Sequence, residues 1–462
     1  MSRILVLGAG FVAGPFVRYF LARPDMEVRI GDLEPDKAAA LAGAHPRASA
    51  FGLDLQDEAA LDAEVSVVDV VISLVPYTFH PLVARACLRR GKHMVTTSYV
   101  SEIMRGFDAE AKAAGITILN EVGLDPGIDH MEAMRIIHGV KNGGGQVLGF
   151  TSYCGGLPAP DANTNPFGYK FSWSPRGVLM AGTNDACYLK EGREIRVPGR
   201  DLFEHYALIP VSEMGVFEGY PNRNSLPYIE LYGIPETRTM FRGTFRYPGW
   251  CRTLKKISDL GFLDPMVRDL AGLTVLDLTL ALLGEVKGQA WAAEMAPRAS
   301  PGGRTPSSGT PDPRALLARR LDLDSDIVDR LDWLGLLQDQ PLEMAKGSPL
   351  DVLERLMLGK LRYTPGERDM ILLQHVIQVQ AADGRGETIT STLVDYGKPG
   401  GDSSMARTVG LPAAAATRLL LEGKISRRGV LIPIHPEIYG PILTEIARFG
   451  IVFDERRTMT EK

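Results

Sequence analysis

The chain has 462 residues, 45% hydrophobic and 23% charged, with a formal net charge of -5. That balance describes a globular protein of two or three domains that can bury its core without covalent staples. No basic stripe offers itself to nucleic acid, and Cys87, Cys154, Cys187 and Cys251 form no CxxC pair. Neither a disulfide framework nor a metal site is therefore expected, and the reducing cytoplasm is the expected compartment.

Arg3–Leu7 is a short apolar strand and Val12–Arg23 has helical spacing. Gly8, Gly10, Gly14 and Pro15 interrupt the first apolar run, which argues against a secretory leader. Val28–Ile30 predicts a strand, Pro35–Ala42 a helix, and Phe51–Leu55 surrounds the end of a third strand. Val68–Leu74 is apolar enough to be buried on both faces. It is followed by a helix over Pro81–Arg90, a strand at His93–Thr96, a helix over Glu102–Ala114 and a strand at Ile116–Leu119. Strand–helix alternation at this spacing predicts an α/β fold with a doubly wound parallel Rossmann sheet.

Composition shifts after Asp125. Gln146 to about Tyr247 is rich in Tyr, Gly, Pro and Thr, with strand candidates at Val147–Ser152, Glu194–Val197 and Thr239–Tyr247. Trp250 to about Leu337 is mainly helical. Leu273–Leu283 is too short to span a bilayer and reads as a buried helix, so no membrane partner is expected. Ala296–Arg314 is dense in Pro, Gly, Ser and Arg and predicts a surface loop. Asp369–Gln380 and Glu387–Val394 form a hairpin around the turn Ala382–Gly386. A helix over Ser403–Leu421, a strand at Gly429–Pro433 and a helix over Tyr439–Arg448 follow. The expected division is a Rossmann domain at 1–124 regaining 400–462, an α+β substrate and dimerisation domain at 125–250 completed by 345–399, and a helical insertion at 251–344.

Gly8-Ala9-Gly10-Phe11-Val12-Ala13 is a GxGxxG/A fingerprint placed after a strand and opening a helix. Gly8 permits the tight turn, Gly10 lets backbone approach a diphosphate, and Ala13 keeps the helix near the sheet. The helix N-terminus then offers free N–H groups to the phosphates. Asp32 stands where an acidic side chain accepts from the adenosine ribose hydroxyls. No arginine stands next to it to hold a 2'-phosphate, so this position favours NAD over NADP. Asp54 lies near the adenine or caps the next helix. Ser73, Leu74 and Pro76 end a strand at the edge where such cofactors lie.

The sequence resembles the saccharopine dehydrogenase family of the L-glutamate-forming type. The resemblance is carried by VISLVPY (Val71–Tyr77), VTTSY (Val95–Tyr99), EVGLDPGIDH (Glu121–His130), SYCGGLPAP (Ser152–Pro160), YKFSWS (Tyr169–Ser174), YPNR (Tyr220–Arg223) and RGTFR (Arg242–Arg246). ERDM (Glu367–Met370) adds to it, and the likeness runs almost end to end. It implies reversible oxidation of a secondary amine to an imine that water splits into L-glutamate and aminoadipate semialdehyde, in lysine metabolism. It also implies a homodimer, and domain closure over the cleft is expected because loops and hinges commonly gate such sites. The fungal members that use NADP carry an arginine near the position of Asp32; this chain does not, which again points to NAD.

Saccharopine has three carboxylates, so the resemblance points to Arg223 and Arg242 as their holders, with Arg246 behind and Thr244 beside them. Thr97 and Ser98 are expected near the cofactor, and Ser98, Tyr99, Asp125 and Cys154 near the substrate. Tyr99, Asp125 and Cys154 are the candidates for proton transfer, while His130 reads as a cap or packing residue. Two other readings stay open: a related imine reductase such as carboxynorspermidine dehydrogenase, and a non-catalytic dinucleotide sensor.

Overall fold

The computed structural model describes residues 1–286, 313–321 and 324–459. Most of the expected Pro/Gly-rich loop at 296–314 lies outside the described residues. Its last two positions begin the helix Pro313–Leu321. The chain divides into two compact units. One comprises Met1–Ala159, Pro227–Met240 and Pro365–Lys462, the other Pro160–Leu226 and Phe241–Thr364.

The first unit opens on β1 (Ser2–Leu7), α1 (Ala13–Leu21), β2 (Met26–Asp32), α2 (Pro35–Ala42), β3 (Ala48–Gly52), α3 (Glu58–Ser66) and β4 (Val70–Ser73). It continues with α4 (His80–Arg90), β5 (His93–Thr96), α5 (Glu102–Gly106), α6 (Asp108–Ala113) and β6 (Thr117–Leu119). Helices between strands place helices on the sheet faces, so the strands pair in parallel and run nearly continuously apolar. Ile4, Leu5, Val6 and Leu7 of the central β1 are fully buried, as are Val70, Val71 and Ile72 of β4. Among the described residues the sheet order is Gly429–Leu431, β6, β5, β4, β1, β2, β3, all parallel. The order reverses between β1 and β4, and ligands of such sheets lie at the carboxyl ends of the strands flanking that reversal.

The same unit holds α7 (Ile128–Asn142) and β7 (Gln146–Pro158). Strand β7 pairs antiparallel with Asp369–Gln380, that strand with Gly386–Tyr396, and the last with Phe453–Met459. The hairpin turn closes where the ADGRG segment predicts it: Ala381 N–H donates to Arg385 O at 2.8 Å and Gly384 has φ +82°. The final strand was not legible in sequence, because Asp454, Glu455, Arg456 and Arg457 give it a charged, solvated edge rather than an alternating apolar face.

Helix Ser404–Leu421 packs against α1. Small residues make that approach possible: a Cβ on Gly410 would stand 2.8 Å from Val12 O. The helix is capped twice. Ser403 Oγ accepts from Ala406 N, and the buried Asp369 carboxylate accepts from Ser404 N (2.6 Å) and Met405 N (2.8 Å).

The second unit pairs Ala207–Val211 with Gly215–Pro221, and that strand with the Phe241–Arg246 part of Thr239–Arg246. Ala186–Lys190 pairs with Arg193–Val197. Helices Trp250–Asp259, Val275–Val286, Ser325–Leu334 and Pro349–Lys360 share one core with these strands, in which Trp250, Phe262, Leu331 and Leu353 meet Tyr169, Phe203 and Tyr220. That shared core is why the helical stretch after Trp250 does not stand apart from the preceding strands. Conversely, β7 and the 369–396 hairpin belong with the first unit.

Asp369→Ala removes two buried charge-assisted caps. Urea unfolding is expected to show a loss of about 2–3 kcal/mol. An unmoved midpoint would show that this cap carries no weight.

Candidate active site

The turn after β1 is built for glycine. Gly8 has φ +99°, and a Cβ there would lie 3.0 Å from the carbonyl carbon and oxygen of Leu74, just past β4. A Cβ on Gly10 would meet nothing within 4 Å, so that side of the loop is open. Val12 stands at the N-cap of α1 with no side-chain cap, and no acidic residue occupies the first turn. Ala13 is fully buried and Phe11 is 82% exposed. Uncapped amides and an open glycine face fit the diphosphate of a dinucleotide.

Asp32 ends β2, but its carboxylate is committed. Oδ2 accepts from Ala9 N at 2.7 Å, inside the glycine turn, and Oδ1 accepts from Glu34 N at 2.9 Å. Asp54 is exposed and accepts from Gln56 N at 2.9 Å; the cap of α3 is Asp57, which accepts from Ala60 N. In the turn after β2, Leu33 is 72% exposed, and Lys37 in the first turn of α2 pairs with Glu34, which raises the lysine pKa.

Ser73 and Thr96 end β4 and β5 and are fully buried. Between them stands His80, the first residue of α4. Its Nδ1 meets Ser73 Oγ at 2.9 Å, and its Nε2 meets Ser98 Oγ at 2.8 Å and Thr96 Oγ1 at 3.1 Å. Burial pushes the imidazole pKa down to about 4, so the ring is neutral at ordinary pH. Leu74 N–H donates to Leu7 O, which ties the residue after β4 to β1. The chain then turns at Pro76 into a short 3-10 turn over Tyr77–Phe79.

The segment EVGLDPGIDH folds into a loop that few other sequences could make. Gly127 has φ +149°, and a Cβ there would fall 2.0 Å from Gly123 O. Gly123 N donates to Pro126 O, Ile128 N to Gly123 O and Gly127 N to Asp129 Oδ1. The Asp125–Pro126 peptide is cis. Glu121 precedes the loop at φ +60° and grips the neighbouring segment twice. Its N–H donates to Ser98 O (3.1 Å) and its Oε1 accepts from Val100 N (2.9 Å). Tyr99, held between those two anchors, donates its O–H to Asp125 Oδ1 at 2.9 Å. Thr97 lies against the same loop, 3.1 Å from where a Gly123 Cβ would stand.

His130 is fully buried in the first turn of α7, whose N-cap is Gly127, so the histidine is a bridge rather than a cap. Nε2 meets Glu121 Oε2 at 2.8 Å, Nδ1 meets the Tyr232 hydroxyl at 2.7 Å, and the ring stacks on Tyr228. Cys154 is half-buried on β7, where its backbone pairs with Leu373.

The arginines lie in the second unit. Arg223 follows the strand Gly215–Pro221, has φ +57° and accepts Cys187 N–H at its carbonyl. Arg242 is buried, and its backbone binds the same turn: Asn222 N donates to Arg242 O, and Arg242 N donates to Ser225 Oγ. Thr244 pairs with Tyr220, whose hydroxyl is pushed up to about 12 by burial. Arg246 is buried with its guanidinium over the rings of Tyr169 and Trp250. The structure therefore joins Tyr99 to Asp125, Ser73 to Ser98 through His80, and Arg223 to Arg242 through one turn. Sequence reasoning missed His80 and Glu121. The signal for His80 was its place at a helix start just past Ser73, and for Glu121 its place at the head of a quoted motif.

Residues 4–119 match the family described as Saccharopine dehydrogenase NADP binding domain, and residues 123–451 match Saccharopine dehydrogenase C-terminal domain. The chain is 38% identical over 457 residues to the saccharopine dehydrogenase (NADP(+), L-glutamate-forming) of Schizosaccharomyces pombe, covering 98% of this chain and 99% of that one. It is 37% identical over 464 residues to the mitochondrial alpha-aminoadipic semialdehyde synthase of Bos taurus, covering 99% of this chain and 48% of that one. Apo saccharopine dehydrogenase (L-Glu forming) from Saccharomyces cerevisiae superposes with a TM-score of 0.87 at 38% identity, covering 99% of this chain and 100% of that one.

The expectation of NAD over NADP is overturned. The fungal relatives are named for NADP(+), and the N-terminal family is an NADP binding domain. The expectation rested on Asp32 as a bare acid at the end of β2, whereas its carboxylate also accepts from the amides of Ala9 and Glu34 and so is part of the turn itself.

His80 sits well below the ordinary pKa of histidine in the folded state, and regains it on unfolding. Between about pH 4 and 6.5 the unfolded chain therefore binds the extra proton. The contribution is full above pH 6.5 and is lost as pH falls towards 4, on the order of 3 kcal/mol in total. Unfolding free energies of His80→Gln across this window are expected to fall less steeply with acid than those of the parent. Parallel profiles would contradict this.

Proposed function

The chain belongs to the saccharopine dehydrogenase family, and from that premise we propose that it interconverts saccharopine, NADP+ and water with L-glutamate, aminoadipate semialdehyde, NADPH and a proton. The observation that carries the reading is likeness over the whole length, 40% identity over 459 residues to the L-glutamate-forming enzyme of Saccharomyces cerevisiae.

In this reading the glycine turn Gly8–Val12 holds the diphosphate at the positive end of α1, whose first turn has no side-chain cap. Ser73, Leu74, Pro76, Thr97 and Ser98 flank the nicotinamide end, and Asp54 the adenine end. Lys37, in the first turn of α2, is the cation offered to the 2'-phosphate. The bound dinucleotide supplies the acceptor for the hydride that leaves the carbon beside the secondary nitrogen. Water then adds to the resulting C=N bond, and the carbinolamine splits into amine and aldehyde. Asp125, fixed by the Tyr99 hydroxyl, binds the substrate's ammonium through its remaining acceptor capacity. Tyr99, Asp125 and Cys154 are the groups assigned to proton movement. Arg223 and Arg242, with Thr244, bind carboxylates, for which the guanidinium fork is suited. A homodimer and a cytoplasmic location belong to the same proposal. Among the described residues no helix is long and apolar enough to cross a membrane.

Oxidation of NADPH in the presence of glutamate and aminoadipate semialdehyde is the direct assay. Turnover confined to another amine and aldehyde, or binding of NADPH with no turnover, would overturn the reading. Arg223→Ala is expected to raise KM for saccharopine roughly 10- to 100-fold and to leave NADPH binding unchanged, as for a lost charge-assisted contact. An unchanged KM removes Arg223 from the site. Lys37→Ala is expected to weaken NADPH binding by about tenfold, measured by nucleotide fluorescence, and to leave NADH binding unaltered. Equal effects on the two cofactors would place the 2'-phosphate elsewhere.

A further inference from the structure

At the carboxyl ends of β4 and β5, one buried imidazole touches three hydroxyls. His80 reaches Ser73 through Nδ1, and Ser98 and Thr96 through Nε2. Ser73 and Thr96 are fully buried, while Ser98 is half-buried and opens the segment that continues to Tyr99. Among the described residues the ring's hydrogen bonds are made with hydroxyls alone, and a neutral imidazole has one N–H and one lone pair to divide among them.

We propose that His80 is a positioning residue for the reaction: the side of the ring that carries the proton sets whether Ser98 donates or accepts toward the bound ligand. With the proton on Nε2, the ring donates to Ser98 Oγ and Thr96 Oγ1, and Nδ1 accepts from Ser73. The Ser98 O–H is then directed away from the ring and serves an acceptor such as a carboxylate. With the proton on Nδ1, the ring donates to Ser73 and Nε2 accepts the Ser98 O–H. Ser98 then presents lone pairs to a donor such as an ammonium. Both arrangements are neutral, so one serine serves ligand groups of opposite polarity at no cost in buried charge. The proposal rests on the saccharopine reading for its ligand and on the hydrogen bonds for its geometry.

Two variants separate the two nitrogens. Gln places its amide near Nε2 and retains Ser98, whereas Asn places its amide near Nδ1 and retains only Ser73. His80→Gln is expected to keep KM for saccharopine within about threefold of the parent, while His80→Asn and His80→Leu raise it about tenfold or more in protein that remains folded at the assay temperature. In the Ser98→Ala background, His80→Asn adds no further loss, because the shared contact is already gone. Full multiplication of the two losses, or an Asn variant as good as the Gln variant, overturns the proposal. Should Leu at this position fail to fold, the Asn and Gln pair still decides.

A second readout needs no turnover. In spectra of 15N-histidine-labelled protein, Ser98→Ala is expected to move the Nε2 resonance of His80, identified by its loss in His80→Gln, with Nδ1 moving in the opposite sense wherever the proton changes sides. An unmoved Nε2 overturns the proposal even if the enzyme turns over saccharopine. A moved Nε2 in a protein that does not accept saccharopine upholds the geometry and overturns the substrate reading.

Discussion

The candidate site depends on one buried carboxylate. Glu121 adopts a left-handed backbone at φ +60°, which costs a non-glycine residue on the order of 1 kcal/mol or more. That conformation lets its N–H reach back to Ser98 O while its side chain turns to Val100 N and His130. The bonds to Ser98 and Val100 fix both flanks of Tyr99, and with them the hydroxyl that donates to Asp125, while the bond to His130 ties the clamp to α7. Hydrogen bonds that satisfy a buried side chain offset this strain locally. A glycine at this place would relax the backbone and lose the clamp.

The parallel sheet explains why the clamp stands where it does. Strands β1 and β4 lie side by side at the reversal of strand order, so the Gly8 turn and Ser73 emerge at one edge. Strand β5 adds Thr96 and Ser98 to the same edge, and His80 bolts the two strand ends together. The helix Ser404–Leu421 braces the arrangement from the far end of the chain: Gly410 lies against Val12 at the start of α1, and Asp369 holds the helix N-terminus. A contribution from 400 residues away is therefore part of the dinucleotide-binding region as much as the fingerprint is.

Much of this was legible. Alternating apolar runs located β1, β2, β4, β5 and β6, because strands buried on both faces cannot hide their composition. The hairpin after Asp369 announced itself through its glycine turn. The placement of Tyr99 and Asp125 in quoted motifs led to the pair that the structure joins. What the sequence withheld was partnership. His80 and His130 are alike as letters, and only the fold shows one ringed by hydroxyls and the other between Glu121 and Tyr232. Glu121 gave no sign of its clamp, since three hydrogen bonds to residues 9 to 23 positions distant have no period. The strand Phe453–Met459 was hidden by its charges, as edge strands commonly are.

Asp32 carries the most instructive error. The rule that an acidic residue ending the second strand reads the ribose treats the carboxylate as unspent. Here a 2.7 Å bond from Ala9 N makes it a structural part of the glycine turn, and a second bond from Glu34 N shapes the chain leading into α2. A carboxylate with two amide partners already has its charge partly answered, so it repels a neighbouring phosphate less than a bare one would. The side chains that follow are the exposed Leu33 and the cationic Lys37, which is why the proposed contact to a 2'-phosphate is assigned to Lys37 rather than read from the acid. Reading a fingerprint therefore requires asking what each polar group is bonded to before asking what it could bind.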